Sequence, residues 1–185
     1  MKGAEVIQKL DEYLTGKELI VSSNGNVSRQ VYTLLPQPQV YLRGSMGLPV
    51  SIGLGLALSQ PKKKVIVITG DGNFLMGLSS IATVGSVQPP NLRILVIDNE
   101  TYATTGCQET VSSALNYVEM VKGMGIKSVV SIDLTKEKEI PSDLFDKFVI
   151  KEELQVLHIR VEIDDINLEN IPWHPIEIKE NFLNR

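Results

Sequence analysis

Short aliphatic and β-branched runs alternate along this chain with segments of helical spacing, and that alternation restricts the fold more than any other feature. Residues 18–22, 40–42, 64–69, 92–98, 128–132 and 154–163 read as strands. Residues 6–14, 26–35, 46–59, 73–87, 115–123 and 141–151 read as helices between them. The runs at 64–69 and 92–98 are nearly continuous in Val, Ile and Leu, which suits strands covered on both faces. Strands joined by helices lie parallel and cross over with a right hand. The expectation is an α/β fold, a doubly wound and mostly parallel sheet with helices on both faces.

Composition narrows the class further. At 185 residues the chain is one domain's worth, long enough to bury a core without staples. Aromatics are only 5%, so the core is aliphatic, which favours a layered α/β fold over an aromatic-pinned sandwich. A net charge of −4 argues against a nucleic-acid surface. A single cysteine, Cys107, rules out an internal disulfide, a Cys-based zinc site and a Cys-ligated iron–sulfur cluster within this chain. No apolar signal segment follows Met1, and no stretch approaches the ~18 apolar residues of a membrane span. A cytoplasmic setting without membrane contact is expected. Residues 167–185, with Pro172 and Pro175, read as a surface arm.

In such sheets ligands bind beyond the carboxyl ends of the strands. The chemistry-bearing residues do follow strands, at 23–28, 43–47, 70–73 and 99–106. At Gly70-Asp71-Gly72-Asn73 a buried strand ends, a glycine frees the backbone to turn, and a helix opens with unpaired N–H groups suited to a phosphate. Asp71 would repel that phosphate unless a cation lay between them, most simply Mg²⁺; otherwise Asp71 is a helix N-cap. Asn99 stands 28 residues further on, past the next strand, so one βαβ unit brings both side chains to the same edge. A carboxylate, an amide oxygen and one backbone carbonyl make three hard ligands, which phosphate oxygens and a water complete to an octahedron. Taken in isolation, Asn99 is equally a turn residue in Asp98-Asn99-Glu100.

The pattern Gly70-Asp71-Gly72, a gap of about 27 residues, then Asn99 resembles the diphosphate and Mg²⁺ motif of thiamine diphosphate (ThDP) enzymes. The segments 41–48 and 52–59 resemble the text before that motif in 2-oxo acid decarboxylases. Thr105-Gly106-Cys107-Gln108 and Asn24-Gly25-Asn26-Val27-Ser28-Arg29 are similar to loops of sulfopyruvate and phosphonopyruvate decarboxylases. The resemblance spans about residues 19–110, and in length and text it is nearest to beta subunits of sulfopyruvate decarboxylases. It implies that the chain is a single diphosphate-binding ThDP domain over 1–185. It implies Mg²⁺ on Asp71, Asn99 and the carbonyl of Thr101. It assigns ThDP contacts to Asn24, Gly25, Asn26, Ser28, Gly44, Ser45, Met46, Gly70, Gly72, Asn73, Tyr102, Thr104, Thr105 and Gly106. Among these, Gly44 would accept from the cofactor's amino group, and Met46 would be the apolar wedge under the thiazolium, where the residue alone reads equally as helix packing. Two positions depart from the resemblance: Cys107 stands where glycine is usual and Glu109 where proline is common.

ThDP chemistry needs a glutamate against the pyrimidine ring, which this superfamily takes from a separate pyrimidine-binding domain. The chain has no room for one, so the resemblance implies half an active site, completed by an alpha (pyrimidine-binding) subunit in a hetero-oligomer, with no certain catalytic residue here. The implied substrate is a small anionic 2-oxo acid, sulfopyruvate giving sulfoacetaldehyde on the way to coenzyme M, with phosphonopyruvate or another 2-oxo acid as the alternative. A sulfonate or phosphonate needs cationic donors; Arg43 and Arg29 are candidates, although Arg29 also reads as a solvent-facing helix residue. Two other classes stay open: a non-catalytic ThDP-binding module, and a 2-oxo acid:ferredoxin oxidoreductase subunit, against which the single cysteine counts. His158 reads as a hydrogen-bonded core or edge histidine, His174 as an exposed turn or a partner contact, and Lys62–Lys64 as a solvated strand entry.

Overall fold

A computed structural model describes residues 1–35, 39–137, 139–164 and 168–184. In chain order the elements are α1 (Gly3–Asp11), β1 (Leu19–Ser22), α2 (Asn26–Leu34), β2 (Val40–Tyr41), α3 (Pro49–Ser59) and β3 (Val65–Gly70). Then come α4 (Asp71–Met76), α5 (Leu78–Val87), β4 (Leu92–Asp98), β5 (Thr101–Tyr102) and β6 (Gln108–Glu109). The chain continues through α6 (Tyr117–Gly123), β7 (Val129–Asp133), α7 (Leu144–Ile150), β8 (Gln155–Arg160) and α8 (Pro175–Leu183).

Six strands form one parallel sheet in the order β2-β1-β3-β4-β8-β7. The doubly wound sheet read from the alternation is therefore the fold. Period-2 alternation sorts each central strand between two cores. Ile66, Ile68, Leu95 and Ile97 pack with α1, α2 and α7; Val65, Val67, Ile94 and Val96 pack with α3, α5 and α6. All of these strand residues are buried, which explains why β3 and β4 show no polar face. The chain moves outward from β1 to β2 and then returns to the other side of β1 with β3. That reversal opens a crevice between the carboxyl ends of β1 and β3.

The floor of the sheet is tied off by cations. Arg93, fully buried in β4, donates through Nε to the Phe148 carbonyl at 2.7 Å, and Lys64 donates to the Val149 carbonyl. Both carbonyls end α7, where helix C=O groups lack intrahelical partners and favour positive charge.

Several boundaries differ from the sequence reading. The helix expected over 46–59 begins at Pro49, because Gly47 adopts φ 85 and proline takes the first helical turn. The helix expected over 73–87 begins at Asp71 and breaks at Gly77. A Cβ at Gly77 would lie 2.3 Å from the Gly47 carbonyl oxygen, so a close backbone crossing breaks the helix there. The strand and helix expected over 154–163 and 141–151 shorten to β8 and α7, and a 3₁₀ turn at Val111–Ala114 precedes α6. The hairpin β5–β6 had no sequence signal. The segment read as an arm starts at a residue outside those described. Its described part carries α8, buries Ile171 and Ile178, and sets the Trp173 ring edge-on to Tyr32 at 5.3 Å. His174 accepts from the Ile176 N–H as the N-cap of α8.

The packing of α3 on the sheet depends on Gly53, where a Cβ would lie 2.2 Å from Val67 Cγ2. Gly53→Ala is expected to destabilise the chain by about 1–3 kcal/mol through overpacking, read as a lower urea midpoint at unchanged slope.

Candidate functional site

Three loops meet over the crevice. Ser22 ends β1 and leads to Asn24; Tyr41 ends β2 and leads to Met46 and Gly47; Gly70 ends β3 and leads directly into α4. The Asn73 side chain joins all three. Its Nδ2 donates to Asn24 Oδ1 at 2.8 Å, and its Oδ1 accepts from the Gly47 N–H at 3.1 Å. A fourth loop, after β4, closes the far side with Asn99 and Thr101–Thr105. Together they enclose a cavity of about 130 Å³.

The structure places thirteen of the sequence-expected residues on this cavity: Asn24, Gly25, Asn26, Met46, Gly70, Asp71, Gly72, Asn73, Asn99, Thr101, Tyr102, Thr104 and Thr105. Ser28, Gly44, Ser45 and Gly106 do not line it. Ser28 turns back to donate to the Gly25 carbonyl at 3.0 Å and lines a neighbouring cavity. Gly44, Ser45 and Gly106 are exposed on the loops beside lining residues.

Asp71 is 3% exposed, in the first turn of α4. Its Oδ2 accepts a hydrogen bond from the buried Thr110 hydroxyl. It makes no ion pair with a cationic side chain among the described residues. Burial pushes its carboxyl up to about 6, against the Thr110 hydrogen bond and with help from the nearby Asp98 charge. Asp98 is the opposite case. Burial works to raise it, but hydrogen bonds from His158 Nε2 at 2.8 Å and from Ser112 outweigh that, and its carboxyl is held below the ordinary range. His158 is further fixed by Ser131 Oγ on Nδ1 at 2.8 Å and by stacking on Tyr117 at 3.8 Å. It is a hydrogen-bonded core histidine, and the Asp98 it holds also accepts from the Glu100 N–H at 2.9 Å.

This leaves Asn99 on a pinned turn. Its Oδ1 accepts from the Thr101 N–H at 3.2 Å, an Asx turn, and retains a second lone pair. So the turn role and an available ligand oxygen coexist. Gly72 keeps the cavity open, since a Cβ there would lie 2.4 Å from the Tyr102 ring. Gly70, in contrast, has φ −82 and room for a Cβ, so the freedom to turn that its sequence suggested is not used. With six residues, α4 offers local N–H groups rather than the dipole of the long helix expected.

The profile described as "Thiamine pyrophosphate enzyme, C-terminal TPP binding domain" matches residues 23–159. The chain belongs to this thiamine pyrophosphate enzyme family. The chain is 36% identical over 185 residues to a protein named sulfopyruvate decarboxylase subunit beta from Methanocaldococcus jannaschii, covering 98% of this chain and 95% of that one. It is 40% identical over 124 residues to phosphonopyruvate decarboxylase from Streptomyces viridochromogenes, covering 66% of this chain but 31% of that one. The ThDP-dependent 4-hydroxybenzoylformate decarboxylase of Rhodococcus jostii RHA1 superposes with TM-score 0.72 at 15% identity, over 90% of this chain and 33% of that one, a likeness of fold. This chain spans about a third of that longer chain.

For a thiamine pyrophosphate enzyme the donors are suitable. Glycines line the cradle, and Asp71, a buried acid with no cation partner among the described residues, Asn99 and a backbone carbonyl offer hard oxygens beside it. Cys107 has φ 54, the left-handed region that glycine occupies without strain, which gives a physical reason for the glycine that the resemblance leads one to expect there. Sequence reasoning missed Thr110, the partner of Asp71. Its only signal was Thr110-Val111-Ser112, a hydroxyl at the N-cap of a short turn. It also missed Asp164 and Gln30 on the cavity wall, which no local motif marks.

Two outcomes are expected. Because the folded chain keeps the Asp71 proton to higher pH than the unfolded chain, this group contributes most stability below pH 4 and loses it as pH rises through about 6. In metal-free protein Asp71→Asn removes that fall, seen as a flatter urea midpoint between those pH values. Cys107→Gly relieves the positive φ and is expected to stabilise by about 1 kcal/mol in thermal or urea unfolding.

Proposed function

We propose that this chain is the diphosphate-binding subunit of a ThDP- and Mg²⁺-dependent decarboxylase that converts sulfopyruvate to sulfoacetaldehyde and CO₂. Its proposed place is in the cytoplasm, on the route to coenzyme M, and it is active only with a pyrimidine-binding alpha subunit. The observation that carries the reading is one cavity joining Asn24, Asp71 and Asn99 in a chain matched almost end to end by a sulfopyruvate decarboxylase beta subunit.

Each residue then has a role. Asp71, the Asn99 amide oxygen and the Thr101 carbonyl hold Mg²⁺, with Thr110 orienting Asp71 through its Oδ2. Gly72 and Asn73 direct backbone N–H groups at the diphosphate, and Asn24, Gly25 and Asn26 close its other side. Met46, half-buried on the cavity wall, wedges the cofactor's shape through a flexible thioether. When bound, ThDP supplies the nucleophilic carbon and electron sink that decarboxylation of a 2-oxo acid needs.

Two observations support a partner chain. The cavity of about 130 Å³ is well below the roughly 300 Å³ of an ordinary enclosed ligand site, enough for a diphosphate end but not for a whole cofactor. The helices α3 and α5, joined by Ser51 and Ser80 hydroxyls at 2.6 Å, carry no charged residue and expose Leu58 and Val87. No helix among the described residues is long and apolar enough to cross a membrane. The match to a phosphonopyruvate decarboxylase keeps that substrate as the second reading.

The test is co-expression with a pyrimidine-domain subunit and measurement of CO₂ release with ThDP and Mg²⁺. Sulfopyruvate turnover is expected from the pair and from neither chain alone. Asp71→Ala is expected to abolish Mg²⁺-dependent retention of ThDP by the complex; retention equal to wild type overturns the metal assignment.

A further inference from the structure

The residues that leave β4 face two different cavities in alternation. Asn99 and Thr101 line the cofactor cavity, whereas Asp98 and Glu100 line a separate one of about 310 Å³ beside β7. Both acids are met from β8. His158 Nε2 lies 2.8 Å from Asp98 Oδ2, and Arg160 Nη2 forms an ion pair with Glu100 Oε1. His158 and Arg160 are two residues apart on one strand, so they share a face, and the register sets Arg160 beside Asp98. The other described arginines are placed elsewhere. Arg29 and Arg43 donate to the Leu168 and Trp173 carbonyls, and Arg93 is buried under α7.

Glu100 has φ 57, a left-handed backbone that a long side chain rarely adopts and that glycine adopts freely. Three contacts hold it there. Its N–H donates to Asp98 Oδ1 at 2.9 Å, and its carbonyl accepts from the Thr110 N–H at 2.9 Å. Its Oε1 is shielded from solvent and meets Arg160 as an ion pair without the alignment of a hydrogen bond. The same Thr110 donates its hydroxyl to Asp71, so the turn and the buried acid share one brace. Strained backbone persists only where its surroundings over-determine it. A glycine at position 100 would relieve the strain and lose the ion pair. Both paired side chains are about one-third exposed, and an ion pair so placed adds little to folding stability. Folding stability alone therefore favours glycine, and the glutamate is explained by what its side chain fixes.

We propose that Arg160 is a positioning residue for the metal end of the site: through Glu100 it sets the turn that presents the Asn99 amide oxygen and the Thr101 carbonyl. The proposal rests on the Mg²⁺ reading above. Arg160 does not line the cofactor cavity, so it acts on a bound ion through the turn and not by contact. Groups that orient metal ligands from behind commonly change metal affinity tenfold or more when they are removed.

The experiment uses the assembled complex, with ThDP retention titrated against Mg²⁺ and the Tm of the metal-free complex as a second readout. Arg160→Gln is expected to raise the Mg²⁺ concentration for half-retention about tenfold, with retention at saturating Mg²⁺ equal to wild type. Arg160→Lys keeps the charge and should recover part of the loss. Glu100→Gly separates positioning from stability: its Tm should equal or exceed that of wild type, while its Mg²⁺ requirement rises by a similar factor. An unchanged Mg²⁺ requirement in either Arg160→Gln or Glu100→Gly overturns the role. A lowered Tm in Glu100→Gly also overturns it, because the pair is then a stabilising contact. A wild-type complex that retains ThDP equally with and without Mg²⁺ overturns the Mg²⁺ reading itself, and the positioning role with it.

Discussion

One amide side chain holds the candidate site together. Asn73 accepts from the Gly47 N–H with one end and donates to Asn24 with the other, so loops from three strands meet at a single residue. Strands β1 and β3 are parallel and buried along their length, and the loops that follow them build this end of the sheet. Fixing those loops to one another converts a reversal of strand order into a cavity of defined shape. The close approach of Gly47 and Gly77 serves the same join, because it brings the loop after β2 against the helix carrying Asn73.

Two buried carboxylates stand at this edge, and their surroundings push them apart. Asp98 is surrounded by donors, from His158, Ser112 and the Glu100 N–H, and remains ionised as a structural anchor. Asp71 has the Thr110 hydroxyl and a neighbouring negative charge, so it is the acid whose ionisation calls for a counter-charge. Titratable groups whose surroundings push them apart in this way are a signature of acid and base assignments at functional sites. Here the division is spatial as well. Asp98, held by His158, precedes Asn99 and pins its turn, while Asp71, with no histidine or other cationic partner among the described residues, lines the same cavity as Asn99.

The sheet was legible because burial on both faces writes itself directly into sequence: β3 and β4 are nearly unbroken aliphatic runs. Ligand loops could be placed for the same reason, since strand ends were visible. What was not legible depends on contacts between distant residues. At Gly77 the glycine is a weak local breaker signal, and the close approach of the Gly47 carbonyl, thirty residues away in the chain, is not legible from sequence. Thr110 meets Asp71 across thirty-nine residues and through a hairpin whose strands are two residues long, too short for any periodicity. Ser28, Gly44, Ser45 and Gly106 were grouped with the site through the resemblance of the segments that contain them, and the structure sets them off the cavity wall. Helical and loop geometry turns them elsewhere. Gly70 shows the converse error, a glycine in a motif whose backbone any residue could adopt.

The residues that miss the cavity form a pattern of their own. Gly44 and Ser45 precede Met46, and Gly106 follows Thr105, so each exposed position is the chain neighbour of a lining one. A cavity closed on all sides by one chain would bury such neighbours in its rim. Here the rim stays open, the volume is only about 130 Å³, and the uncharged helices α3 and α5 leave apolar side chains in solvent. Two features are deficits for an isolated chain: unburied apolar area and a buried acid without a counter-ion. Both are met together if a second chain supplies a further wall. Cofactor binding and subunit assembly then draw on the same surfaces. In that arrangement assembly free energy is linked to cofactor occupancy, because each completes the environment the other requires.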